Sequence, residues 1–290
     1  MTRILRVLYV SAEASPFAKS GVLADAARAL SISLVKLGVE ISLILPKYRR
    51  PEIESLSLEL VVPELIVPLG RDKIKASIYK AEPGDVPVFF VDNTKYFCRD
   101  EIYGASKGEY LDNDERFTFF SRAVLEFVLK TKFGLDVIHS NDWPTALVPL
   151  FLRTRYAQKA HFKDTATVFS IHDSSHQGKF PPESLALTGL NWDYFTPDQL
   201  ALNGKFSFLK AGLIFSDALS AASSDWKAEI LAGDPGGGLE EILNRRWNVF
   251  STIQSGSDEK TWETAAKEYI ELYAKALDNL DNRRGGQCGR

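Results

Sequence analysis

Apolar positions along this chain follow two periods in turn. Residues 4–10 are a short apolar run of strand length. After a polar loop, Leu23, Ala26, Ala27, Leu30, Leu34 and Leu37 recur at three- and four-residue spacing, the stripe of an amphipathic helix, and Gly38 ends it. Residues 39–45 predict a second strand, closed by Pro46. A strand, helix, strand unit of this length predicts two parallel neighbours, because a parallel pair needs a long crossover.

The next stretch breaks the rhythm. Residues 58–69, 74–81 and 86–91 are β-rich, with Gly70 and Gly84 between them, and predict an antiparallel insertion or extension. Helical spacing returns at Phe117, Phe120, Val124, Phe127 and Val128 and stops by Gly134. A strand at 136–139, a helix at 143–156, a strand at 166–172, a helix at 206–215 and a strand at 217–222 follow, then two short helices up to Arg246 and a strand at 249–254. This alternation predicts the α/β class: a single Rossmann-like domain over residues 1–254 with a mostly parallel sheet and the β-rich insertion. Ser255 to Asp258 supply turn and N-cap residues, and Trp262, Ala265, Ala266, Tyr269, Leu272, Tyr273, Ala276, Leu277 and Leu280 share one face. The helix 255–282 is expected to pack that stripe back on the domain rather than on a partner. Residues 283–290, ending GGQCGR, are expected to form a disordered tail.

Composition narrows the classes of function. The net charge of −3 gives no field to attract nucleic acid or an anionic membrane. No apolar run reaches the ~20 residues of a spanning helix, and Arg3, Arg6 and Glu13 interrupt any signal-peptide core, so a cytoplasmic location is expected. The two cysteines, Cys98 and Cys288, form no framework or metal motif.

Ligands of open parallel sheets bind beyond the carboxyl ends of the strands, which points to three loops. The first, SAEASPFAKSGVLAD, lacks the Gly-x-Gly-x-x-Gly spacing of dinucleotide sites, which disfavours a nicotinamide enzyme. Lys19, Ser20 and Gly21 stand at a helix start, where an ammonium and free backbone N–H groups can face one phosphate; Lys19 as a plain solvated cation is the equal alternative. The second loop, HSNDWPTA, sets Asp142 at a helix N-cap, where capping competes evenly with binding sugar hydroxyls. Trp143 reads as core before sugar platform. The third holds His172, Asp173 and His176; their spacing has no metal geometry behind it, and a neutral histidine hydrogen-bonding a sugar is the better reading. No metal and no cofactor are expected.

Together these loops resemble the N-terminal domain of bacterial glycogen synthases and plant starch synthases, retaining transferases that extend an α-glucan from ADP-glucose. Glu13, Pro16, Phe17, Lys19, Gly21, Leu23, Ala24 and Asp25 match that family's E-x-x-P-F-x-K-x-G-G-L-A-D; His139, Asn141, Asp142, Trp143 and Pro144 are similar to its H-x-H-D-W-H; and His172, Asp173, His176, Gln177 and Gly178 resemble its H-N-x-x-Y-Q-G. The Tyr103 loop, the helix entry at 112–117, FLKAGLIFSDALSAAS and GGGLEEIL follow the family to about Arg246. The resemblance implies one half of a GT-B glycosyltransferase, the acceptor side of a two-domain cleft. It carries substrate-binding roles onto Lys19, Asp142 and His172, with Asp25 and Tyr103 supporting, and a phosphate-loop role onto Lys19, Ser20 and Gly21.

The departures from the family are Val22 for a glycine, Pro144 for a histidine, Asp173 for an asparagine and His176 for a tyrosine. After Arg246 the expectation is that the second domain and its phosphate-binding Arg and Lys are missing, with IQSGSDEKTW resembling the linker and WETAAKEYIELYAKAL the last helix of a full synthase. The expected ligands are an α-glucan or ADP-glucose, with a homodimer or a separate chain completing the cleft. The expected function is a synthase-like half that is inactive alone; a non-catalytic glucan-binding or regulatory subunit is the alternative, and a self-associating structural relic the third reading.

Overall fold

In the computed structural model, residues 4–106, 108–173, 176–222, 225, 228 and 239–287 are described. The chain runs β1 (Arg6–Val10), α1 (Val22–Lys36), β2 (Glu40–Pro46), β3 (Glu59–Leu69), β4 (Asp72–Ala81), β5 (Val88–Asp92), α2 (Asn113–Thr131), β6 (Val137–Asn141), α3 (Leu147–Thr154), β7 (Ala166–Ile171), α4 (Phe208–Phe215), β8 (Ala218–Ala221), α5 (Glu240–Arg245), β9 (Phe250–Thr252) and α6 (Glu259–Gln287). The main sheet has the order β9-β8-β7-β6-β1-β2-β5-β4-β3. Every pairing from β9 to β5 is parallel, and the β5–β4 and β4–β3 pairings are antiparallel. The α/β class stands, and the β-rich segment is an extension of the sheet edge in which β5 belongs to the parallel part.

The strand order reverses between β2 and β6, which both flank β1. The connections that follow β1 and β6 run to opposite faces of the sheet, α1 on one and α3 on the other, and a crevice opens at the carboxyl ends of these two strands. Helices cover both faces: α1 and α6 pack on each other on one side, and α2, α3 and α4 on the other. The parallel strands are buried on both faces, which is why they read as continuous apolar runs.

Three local expectations change, and a fourth falls partly outside the described residues. Residues 205–207 form a short strand, paired with 179–180 and 201–202, and the helix begins only at Phe208, where the Ser207 hydroxyl accepts from the Lys210 N–H. The segment after β6 is a 3-10 turn (Trp143–Thr145) followed by α3, so one predicted helix is two pieces. Of the two short helices before Arg246, only α5 lies wholly among the described residues. The last helix continues to Gln287, inside the stretch expected as a disordered tail; Cys288 to Arg290 lie outside the described residues.

Helix α6 buries Ala265, Ala266, Tyr269, Leu272, Tyr273, Ala276 and Leu280 against α1, β7 and β8, the face its periodicity marked. Its tyrosines also reach a polar cluster inside the sheet. The Tyr273 hydroxyl lies 2.8 Å from His139 Nδ1, while His139 Nε2 lies 2.6 Å from Ser170 Oγ, which in turn meets Ser220 Oγ. Burial pulls the His139 imidazole well below its ordinary range, so it is neutral and one ring nitrogen donates while the other accepts. Tyr273→Phe strands one buried ring nitrogen and is expected to cost about 1–3 kcal/mol. Urea unfolding measures this directly; an unchanged midpoint would show that the hydroxyl is not holding the helix.

Candidate functional site

The loops after β1, β6 and β7 meet at the switch point around a cavity of about 720 Å³, lined among others by Glu13, Ser20, Gly21, Tyr103, Asp142, Trp143, His172 and Asp173. Asn141, at the end of β6, is the fixed point. Its Nδ2 donates to the Val10 carbonyl (3.1 Å) and to the His139 carbonyl (3.3 Å), so its Oδ1 must be the atom facing His172 Nε2 at 3.0 Å. An acceptor there requires the proton on Nε2. His172 Nδ1 is then a bare lone pair, buried and without a partner among the described residues. Burial draws this imidazole down to about 4, so it is neutral at ordinary pH.

Asp142 follows with φ +55°, a backbone region that non-glycine residues avoid. Its position is that of an N-cap, but its side chain does not cap the turn. Instead Oδ1 accepts from the N–H of His172 (2.7 Å) and of Asp173 (3.3 Å), tying the β6 loop to the β7 loop. Burial pushes this carboxyl up to about 7; the two backbone donors oppose that, and the charges of Asp173 and Glu13 add to it. The capping alternative is therefore set aside by geometry.

Glu13 was legible only as a motif position, yet it organises the first loop. Its buried carboxylate accepts from the Ser20 N–H, the Gly21 N–H (3.1 Å), the Ser20 hydroxyl (2.9 Å) and the Tyr103 hydroxyl (2.8 Å). The backbone donors expected to be free for a phosphate are occupied by an internal anion. Lys19 is turned outward, its ammonium 2.6 Å from Asp25, whose other oxygen accepts from Ser15 Oγ. Hydrogen bonds from Lys19 and Ser15 hold the Asp25 carboxyl below its usual range. Both Lys19 and Asp25 are exposed and neither lines the cavity, so the structure joins Tyr103, Asp142 and His172 with Ser20 and Gly21 but leaves this pair at the rim. Val22 is 69% exposed and lines the mouth of the cavity.

Two further supports come from outside the loops. Asn113 Nδ2 donates to the Tyr103 carbonyl (2.8 Å), and the buried Arg116 donates to the carbonyls of Tyr96 and Ile102, so the start of α2 fixes the loop that carries Tyr103. Trp143 packs against Tyr103, Phe117, Phe180 and Phe208, and so is core with one edge in the cavity. Gly178 has φ +56°, and a Cβ there would lie 2.7 Å from the Trp143 ring, so a glycine is required.

The remaining lining is acidic. Glu109 and Asp173 join Glu13 and Asp142, His176 Nδ1 lies 2.9 Å from Asp173 Oδ2, and no lysine or arginine lines the cavity among the described residues. Glu109 and Asp173 become neighbours of Asp142 only through the fold, which no local spacing announces. Among the described residues no three His, Cys, Asp or Glu side chains are placed to hold a metal ion, and no helix is long and apolar enough to cross a membrane.

Residues 6–245 match the family described as the starch synthase catalytic domain. The chain is 37% identical over 287 residues to glycogen synthase 2 of Geobacter sulfurreducens, covering 97% of this chain and 59% of that protein. It is likewise 37% identical over 295 residues to the glycogen synthase of Thermodesulfovibrio yellowstonii, again covering 97% and 59%. The catalytic domain of starch synthase IV from Arabidopsis thaliana, bound to ADP and acarbose, superposes with a TM-score of 0.79 at 28% identity, covering 90% of this chain and 53% of that one. The chain thus spans 59% of the length of these curated relatives.

The two histidine and aspartate shifts act oppositely on stability. The depressed His172 adds stability that is present above its unfolded value near 6.5 and is lost as pH falls toward 4. The raised Asp142 adds stability that is present below its unfolded value near 3.8 and is lost as pH rises toward 7. Each is worth on the order of 3 kcal/mol, so Asp142→Asn should turn a nearly flat profile between about pH 4 and 6.5 into one that rises with pH. Nitrogen-15 NMR of the wild-type chain should show a pyrrole-type Nε2 and a pyridine-type Nδ1 on His172 down to about pH 4. A proton on Nδ1, or titration near 6.5, would contradict the assignment made through Asn141.

Proposed function

Because the chain belongs to the family of the starch synthase catalytic domain, we propose that its cavity is the acceptor side of an α-glucan glucosyltransferase site and binds the glucan chain. The observation that carries this reading is the chemistry of the lining. Beside Glu13, whose oxygens are taken by Ser20, Gly21 and Tyr103, the carboxyl groups of Glu109, Asp142 and Asp173 and the Nδ1 of His172, without a partner among the described residues, are hydrogen-bond acceptors, and sugar hydroxyls are donors that suit them. The edges of Trp143 and Tyr103 offer apolar surface to a sugar ring. Asp142, His172 and Tyr103 are the proposed substrate-binding residues, with Glu13 holding Tyr103 in place.

A nucleoside diphosphate suits the same surface poorly. It would meet carboxylates without a lining lysine or arginine, and the Ser20 and Gly21 N–H groups are taken by Glu13. The starch synthase IV structure holds ADP as well as acarbose. In the proposed reading, the cations that hold ADP-glucose and neutralise departing ADP come from another domain or chain facing this cavity. Preorganised charge of that kind is usually the largest catalytic term, so this face alone binds glucan without transferring glucose. The same acidity supports the second reading, a glucan-binding or regulatory subunit.

Calorimetry on the purified chain distinguishes the two ligands. Maltoheptaose is expected to bind in the high micromolar to millimolar range, ADP and ADP-glucose not measurably, and Asp142→Ala to weaken the glucan about tenfold. Nucleotide binding as tight as glucan binding would overturn the acceptor-side assignment, as would glucose transfer by the chain alone.

A further inference from the structure

At the opposite end of the sheet, where β7 and β8 begin, a second cavity of about 370 Å³ is lined by Arg153, Lys163, Arg283 and Arg284 together with Tyr156, Phe162, Phe215, Leu152 and Leu280. It joins three parts of the chain: Arg153 from α3, Lys163 from the loop before β7, and Arg283 and Arg284 from the end of α6. The buried carboxylate that meets these arginines is Asp217, just before β8, while Arg284 pairs with Asp164 and Asp281 and the Tyr156 hydroxyl donates to Glu126. One Asp217 oxygen accepts from Arg153 Nη2 and from Thr167, and the other lies 2.9 Å from Arg283 Nη2. Arg246, just behind, donates to the Ser216 carbonyl.

The balance of charge is unequal. Two guanidinium groups, Arg153 and Arg283, share one buried carboxylate, Arg246 stands near it without an ion pair among the described residues, and Lys163 has no ion pair among the described residues. Arg284 pairs only with Asp164 and Asp281, both 76% exposed. Among the described residues, Nε of Arg153 and of Arg246 are buried donors without an acceptor. Burial draws the Arg246 guanidinium down to about 10, with Arg283 pushing the same way and Asp217 opposing, as expected of cations that lack counter-charge. Forked guanidinium donors converging from several elements suit an anion with several oxygens, which a phosphate supplies and a lone carboxylate does not. The aromatic and aliphatic walls leave room for more than a bare ion, and the volume is that of a small-molecule site.

We propose that this cavity binds a small phosphate ester, the phosphate held by Arg153, Arg283 and Lys163 and the body resting on Tyr156, Phe162 and Phe215. The site lies at the amino ends of the strands, away from the carbohydrate cavity at their carboxyl ends, and does not depend on the reading of that cavity. A ligand here touches α3, the β7 approach and α6 at once. It binds the state in which α6 is docked and raises stability by mass action.

The test is thermal melting and calorimetry of the full chain with inorganic phosphate and with glucose 6-phosphate. Both ligands are expected to raise the melting temperature, the ester binding the more tightly. The double variant Lys163→Gln/Arg284→Gln, at two partly or fully exposed positions, should still fold by circular dichroism, weaken both ligands about tenfold and leave maltoheptaose binding unchanged. No binding of either ligand up to about 10 mM would overturn the proposal, as would equal binding by the double variant, leaving a purely structural ion network. Glucose 6-phosphate binding no more tightly than inorganic phosphate would overturn the ester assignment.

Discussion

The carboxamide of Asn141 is the interaction on which the cavity depends. It sits where β1 and β6 part company, fully buried, and a buried amide must satisfy both its ends. With Nδ2 committed to two carbonyls, the oxygen has one role left, and that role sets the tautomer of His172. Thr145 Oγ1 holds the same residue by its backbone, accepting from the Asn141 N–H and donating to the Asn141 carbonyl. From there the constraint passes outward. His172 and Asp173 offer their N–H groups to Asp142, whose strained backbone points its carboxylate at them rather than at the turn it precedes. On the other side, the His139 carbonyl that receives Asn141 belongs to the residue whose ring meets Tyr273 of α6. A single chain of contacts therefore links the docking of the last helix to the orientation of the site histidine.

Glu13 has the complementary part. A helix N-terminus presents backbone donors that attract anions, and here the chain provides its own anion for Ser20 and Gly21. The result is a loop held closed against Tyr103 and a cavity that is acidic around its wall. Lys19, the cation nearest to that loop, spends its charge on Asp25 in solvent, where such a pair is worth little. The two ends of the sheet thus differ in sign, carboxylates at the carboxyl ends and guanidiniums at the amino ends.

Much of the fold was legible because parallel strands and amphipathic helices write their periods plainly, as at 39–45 and along α6. What escaped was set by context. Residues 205–207 are too few to establish a strand period and form a strand where 179–180 and 201–202 pair with them. The helix after β6 is interrupted because a 3-10 turn joins β6 to α3, and aromatic residues at 143–156 satisfy either geometry. In the site, Asp142 and His172 announced themselves as polar residues closing apolar strands, and Tyr103 through the resemblance. The role of Glu13 required knowing that Ser20, Gly21 and Tyr103 fold onto it, and the convergence of Arg153 and Arg283 on Asp217 spans too much sequence for any local pattern to show.

The most direct test of the account is where a glucan touches the chain. In a two-dimensional amide NMR titration with maltopentaose, shifts are expected at Gly21, Tyr103, Asp142, Trp143 and His172, with the amides of α6 and of the arginine cavity unmoved. Shifts centred on the exposed Trp192 or Trp247 instead, with Asp142 and His172 silent, would contradict the assignment of this cavity to the glucan.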